Sequence, residues 1–155
     1  MTEERIAGLI RVCQGEAAEA IATGNPPFGC VITDADLRVV AHAHNTELSD
    51  ADPTAHAEMN ALRQLATRLG TGRLEGYVAF ANAASCSMCM SALIKAGLTR
   101  FYYGAPPEPL MDPWLPMEEV AARSRRAIEV HGPILGDESA AQIAAGRERL
   151  HGAGS

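Results

Sequence analysis

A chain of 155 residues, 47% hydrophobic and 21% charged, fits one domain (1–155) with a buried core rather than two domains or a stapled mini-protein. No apolar run approaches the ~20 residues that cross a bilayer, and Met-Thr-Glu-Glu-Arg is no secretory start, so a cytoplasmic protein without membrane partners is expected. The net charge of -6, with Lys95 as the single lysine, sets the surface on average against polynucleotides, whose phosphates are neutralised mainly by Lys and Arg.

Ile6, Leu9, Ile10, Cys13, Ala17, Ala20 and Ile21 recur at helical spacing and predict an amphipathic helix over 3–23, stopped by Gly24-Asn25-Pro26-Pro27. A strand over 28–33 and a returning strand over 38–44 flank the turn Asp34-Ala35-Asp36. The turn residues Ser49 to Thr54 lead into a helix over 55–69, ended by Gly70-Thr71-Gly72. A strand over 77–81, a helix over 87–96 closed by Gly97, and a strand over 100–103 follow. After a Pro-rich loop at 105–116 come a helix over 117–126, a short strand over 128–130 and a final helix over 139–150. The cluster Arg123, Arg125 and Arg126 reads as a solvated helix face, with a local basic patch as the alternative. The order α-β-β-α-β-α-β-α-β-α predicts an α/β fold: a mixed sheet with helices on both faces, its first two strands antiparallel and the others parallel.

Four cysteines occur without a signal peptide, so disulfides are not expected. Cys13 and Cys30 fall in apolar patterns and read as small buried hydrophobes. Cys86 and Cys89 open a helix, where first-turn N–H groups favour thiolates; His56 opens another. Thiolates and neutral imidazole are ligands zinc prefers. A structural zinc needs four protein ligands, whereas the evident set is three, and His42, His44, His131 and His151 show no spacing that nominates a fourth. Three ligands leave a place for water, whose pKa zinc lowers to roughly 7. Glu58, two residues past His56, is placed to take a proton from that water and hand it to a substrate nitrogen. A redox Cys-x-x-Cys pair is the competing reading, and it leaves His56 and Glu58 unexplained. His-x-Glu and Cys-x-x-Cys about 30 residues apart match the zinc-deaminase signature.

Asn25-Pro26-Pro27-Phe28-Gly29-Cys30-Val31-Ile32, Asp52-Pro53-Thr54-Ala55-His56-Ala57-Glu58-Met59 and Ser85-Cys86-Ser87-Met88-Cys89 carry the resemblance. On these segments the chain resembles the cytidine deaminase-like superfamily, in its branch of guanine deaminases and tRNA adenosine deaminases. The resemblance implies a three-layer α-β-α sandwich around a five-stranded mixed sheet, and one Zn2+ per subunit held by His56, Cys86 and Cys89. It further implies Glu58 as proton shuttle, Asn45 hydrogen-bonded to the heterocycle, the Ala57 N–H on a ring substituent, Phe28 as a pocket wall, and a homodimer. Asn45 has a turn role as its alternative, and Phe28 a plain core role. Gly29 would let the strand backbone approach the site closely. The sequence departs from the family at Ser85, where proline is usual; its hydroxyl could cap the helix in proline's place.

Specificity is expected in the loop at 105–116, beyond the end of a strand. Asp112 could accept a hydrogen bond there and Trp114 could stack, with a core or dimer contact as the alternative for Trp114. Three readings follow. The first is hydrolytic deamination of a small-molecule heterocycle such as guanine or a related aminopurine, aminopyrimidine or aminotriazine. The others are a tRNA adenosine-type editor, disfavoured by charge, and a non-catalytic zinc module, disfavoured by Glu58.

Overall fold

The computed structural model describes residues 2–153. Helix α1 (Glu3–Ala22) begins at Thr2, whose hydroxyl accepts the Arg5 N–H at 3.2 Å, satisfying one of the donors a helix start leaves free. Its apolar stripe, Leu9, Ile10, Cys13, Ala17 and Ala20, is fully buried. Strands β1 (Gly29–Thr33) and β2 (Val39–His44) form the expected antiparallel pair. Helix α2 (Ala57–Leu69) ends on Gly70 at φ +69°, a left-handed position that glycine takes without steric cost. Then come β3 (Val78–Ala83), α3 (Ser87–Ala96) and β4 (Arg100–Ala105). The chain closes with α4 (Met117–Ala122), β5 (Glu129–His131) and α5 (Gly136–Ala153).

The five strands form one sheet in the order β2-β1-β3-β4-β5. β1 runs antiparallel to both neighbours, while β3, β4 and β5 are parallel. Every residue of β1 is buried, as a central strand covered on both faces requires. Alternation along it divides the core. Cys30 and Ile32 join Ala57, Leu65, Leu93 and Phe101 beneath α2 and α3, and Val31 joins Leu9, Ile10, Phe80 and Tyr102 beneath α1. α5 packs beside α1, against β3 and β4. The result is the three-layer sandwich with a five-stranded mixed sheet.

Two local expectations are corrected, and Gly29 gains a packing role. α4 stops at Ala122 rather than running to residue 126: Arg123, Arg125 and Arg126 are exposed, and Ser124 Oγ accepts the Arg126 N–H in a turn, so this cluster is not a helix face. α5 begins at Gly136 rather than residue 139, with Asp137 and Glu138 in its first turn, where acidic residues meet the positive helix end. Gly29 serves helix packing. A Cβ there would lie 2.1 Å from the Cys13 carbonyl oxygen, so its lack of a side chain lets α1 close onto β1.

Candidate metal centre and pocket

The ends of two helices build the metal centre. His56 occupies the N-cap of α2 and Cys86 the N-cap of α3, and neither side chain caps its own helix. Both are free to turn toward each other, and Cys89 joins from the first turn of α3. His56 Nδ1 lies 3.5 Å from each sulfur, and the sulfurs lie 3.6 Å apart. Zinc bonds of about 2.3 Å to sulfur and about 2.0 Å to nitrogen, at tetrahedral angles, separate ligand atoms by about 3.5–3.8 Å. The three residues therefore fit zinc and would hold it together, with His56 and Cys86 lining the pocket. Among the described residues no other group of His, Cys, Asp or Glu converges this way.

Without the ion, the three ligands share protons. The Cys86 thiol is held down to about 4, first by the hydrogen bond from Cys89 and also by His56. The His56 imidazole rises to about 9 through its hydrogen bond to Cys86, against the cost of burial. The Cys89 thiol is pushed well up by its role as donor to Cys86 and by burial. The metal-free site at neutral pH is thus an imidazolium, a thiolate and a thiol. Cys13 and Cys30, fully buried, are held well up in pKa by loss of solvent, in keeping with inert core thiols.

Glu58, in the first turn of α2, is 7% exposed and faces the cavity beside Cys86. Burial, then the nearby Cys86 thiolate, raises its pKa; the Ser85 hydroxyl and His56 pull the other way. Ser85 therefore has a role other than the expected one. Cys86 itself takes the N-cap position of α3, which leaves Ser85 one residue too early to cap, and its buried hydroxyl bonds Glu58 instead.

A cavity of about 380 Å3 opens beyond the carboxyl ends of β3 and β4, where parallel sheets present their binding loops. Phe28, Asn45, His56, Glu58 and Cys86 line it, as the sequence suggested; Ala57 lies buried beneath at the first turn of α2. Asp112 and Trp114 do not line it. Asp112 is exposed and Trp114 is 55% exposed, because the loop turns its earlier residues Glu108, Leu110 and Met111 inward.

Asn82, Glu47 and Arg147 also line the pocket, although the sequence reading did not single them out. Asn82 accepts the Gly29 N–H at 2.9 Å and donates to the Pro27 carbonyl at 3.0 Å, which fixes the segment carrying Phe28. Glu47 stands two residues past Asn45, and the period-two geometry of extended chain could have placed it on the same side. Glu108 and Arg147 pair with each other at the rim, and the Arg147 guanidinium lies 5.6 Å from the centre of the Phe28 ring. Nothing local in the sequence links Arg147 in α5 to this site.

Comparison with known proteins agrees with this geometry. Residues 3–105 match the family described as the cytidine and deoxycytidylate deaminase zinc-binding region. The chain belongs to that family. It is 33% identical over 97 residues to a tRNA-specific adenosine deaminase of Aquifex aeolicus, covering 63% of this chain and 64% of that one. It is 33% identical over 90 residues to a guanine deaminase of Bacillus subtilis, covering 57% of each. The chain thus spans less than two thirds of either relative. Among solved structures, a tRNA:A34 deaminase studied for A-to-I editing superposes with a TM-score of 0.79 at 28% identity, over 87% of this chain and 98% of that one. The family and the ligand distances together make the three-residue centre a zinc site.

Proposed function

We propose that the protein is a zinc-dependent hydrolytic deaminase acting on a small free heterocycle, such as guanine or a related aminopurine, aminopyrimidine or aminotriazine. The deaminase half rests on Glu58, a buried carboxylate beside a three-ligand zinc centre that a structural metal would not need. Zinc, when bound, supplies an activated water for attack on the amino-bearing carbon. Glu58 takes a proton from that water and delivers it to a ring nitrogen, then takes the remaining hydroxyl proton and passes it to the amino group, which leaves as ammonia. Asn45 and the Ala57 N–H orient the ring, and Phe28 supplies a flat wall.

The free-base half rests on one observation. Glu47, Glu58 and Glu108 line the cavity against a single guanidinium, Arg147, already paired with Glu108. No unpaired Lys or Arg among the described lining residues stands ready for a phosphodiester, and the net charge is -6. A second reading, deamination of adenosine in tRNA, is favoured by the likeness to the tRNA:A34 deaminase, which extends over 98% of that chain. Ammonia release by zinc-loaded protein from free bases, nucleosides, aminotriazines and an anticodon stem-loop decides between them. Turnover confined to bases and triazines is expected. Turnover confined to the stem-loop replaces the first reading by the second, and no turnover on any substrate removes both.

A further inference from the structure

Glu47 touches the metal centre and the binding wall at once. Its carboxylate Oε1 lies 3.0 Å from His56 Nε2, the ring nitrogen opposite the one that faces the sulfurs. The same oxygen accepts the Asn45 side-chain N–H at 2.8 Å, and the Glu47 backbone N–H donates to Asn45 Oδ1 at 2.8 Å. Asn45 is 1% exposed, so the amide is held in a tight enclosure with Glu47 as its side-chain partner. The Glu47 side chain itself lines the cavity and is about one quarter exposed, at 29%.

We propose that Glu47 is a positioning residue that holds His56 ready for zinc and Asn45 ready for the heterocycle. Two physical consequences follow. First, a carboxylate against Nε2 keeps that nitrogen protonated, which leaves Nδ1 as the free ligand atom and raises its basicity toward the metal. Secondly, an amide carries two N–H donors and two acceptor lone pairs. Glu47 occupies one of each, which fixes which end of Asn45 is nitrogen and leaves one donor and one lone pair for the edge of a ring. The sequence separation suits this double role. Asn45 is held to the residue just before β1, through its N–H to the Phe28 carbonyl at 3.0 Å, and Glu47, two residues later, also lines the cavity.

The zinc part of this proposal stands without any assumption about the substrate; the Asn45 part rests on the deaminase reading above. The test measures zinc affinity by chelator competition, and unfolding of the metal-free form, for wild type, Glu47→Ala and Glu47→Gln. Glu47→Ala is expected to weaken zinc binding about 10- to 100-fold, the usual effect of losing an outer partner of a metal-bound histidine. Glu47→Gln keeps the reach and an accepting oxygen, and is expected to fall between Ala and wild type. A purely structural residue would lower the melting temperature of the metal-free protein and leave the zinc affinity of the folded fraction unchanged. Wild-type zinc affinity in Glu47→Ala, or weaker binding in Glu47→Gln than in Glu47→Ala, overturns the proposal. Should Glu47→Ala fail to fold, the near-isosteric Glu47→Gln still decides it by binding zinc less tightly than wild type or equally well. On any base the protein turns over, Glu47→Ala is expected to raise KM beyond any fall in kcat, since it frees Asn45 to rotate. An unchanged KM with weakened zinc sinks the Asn45 half alone. Absence of turnover by wild type points instead at the deaminase reading.

Discussion

The inner and outer parts of the pocket are built in different ways. The inner part is made of residues at the first turns of α2 and α3: His56, Glu58, Cys86 and Cys89 come from two short segments on rigid helices. The outer part joins Glu108, on the loop after β4, to Arg147, 39 residues further along on α5, through an ion pair whose side chains are 36% and 41% exposed. The inner residues are coupled so closely that each sets the protonation of the next. The outer pair is in contact with water and weakly constrained. Chemistry common to a family can reside in the first region, and choice of substrate can drift in the second without disturbing it.

The largest effect is expected at the inner end. Glu58→Ala should lower turnover by at least about 10²–10⁴-fold, the contribution of a positioned proton carrier. It should still bind one zinc, because the three ligands remain. Metal analysis alongside an ammonia assay checks both, and a variant releasing ammonia at the wild-type rate would remove Glu58 from the mechanism. Such a result would also erase the contrast between the two regions.

The proton sharing of the inner site gives the second prediction. At pH 7 His56, with a pKa of about 9, and Cys89, pushed well up, both carry protons, while Cys86 at about 4 does not. Zinc binding should therefore release about two protons from the ligands. Calorimetry in buffers of different ionisation enthalpy measures the number. The sign also fixes the pH dependence: as pH falls, protons compete for Cys89 and His56 throughout, and Cys86 joins only near 4. Zinc affinity should thus fall steadily with acidification and more steeply as pH approaches 4. Release of no protons would mean that the ligands are already stripped in the metal-free protein.

How much of this could be read from the sequence follows the same division. Element order, the helix starts at His56 and Cys86 and the ligand set were legible because each depends on residues close in the chain. Asn45 and Phe28 were legible through resemblance, and both line the cavity. Asp112 and Trp114 were reasonable choices of residue type, but nothing in the sequence says which way a Pro-rich loop turns, and it directs Glu108, Leu110 and Met111 inward instead. Arg147 could not be found, since only the packing of α5 against β3 and β4 brings it to the rim. Ser85 stands out in the sequence as a departure, but the cap falls one residue later, on Cys86, and the Ser85 hydroxyl acts on Glu58 instead.

That departure yields the third prediction. The Ser85 hydroxyl favours the ionised form of Glu58, so Ser85→Ala should raise the pH at which Glu58 titrates. The limb of the pH–rate profile that belongs to Glu58 should move upward, with zinc content unchanged. Ser85→Pro, which restores the residue usual in the family, should shift it equally if the hydroxyl alone matters.

The smallest effects are expected at the rim. Arg147→Ala removes an exposed ion pair, worth about 0–1 kcal/mol, and a cation over the Phe28 ring, worth about 0.5–1 kcal/mol. Stability should change by no more than about 1–2 kcal/mol, and zinc affinity not at all. The informative readout is the ratio of kcat/KM among substrates, compared for Arg147→Ala, Glu108→Ala and the double variant. If the pair acts as one wall, the double variant should match the single ones in its substrate ratios rather than summing them. If Arg147→Ala opens activity on an anionic nucleotide no better than wild type while Glu108→Ala does so readily, the freed guanidinium is the group that reads phosphate. The pairing with Glu108 would then be what keeps this pocket to uncharged rings.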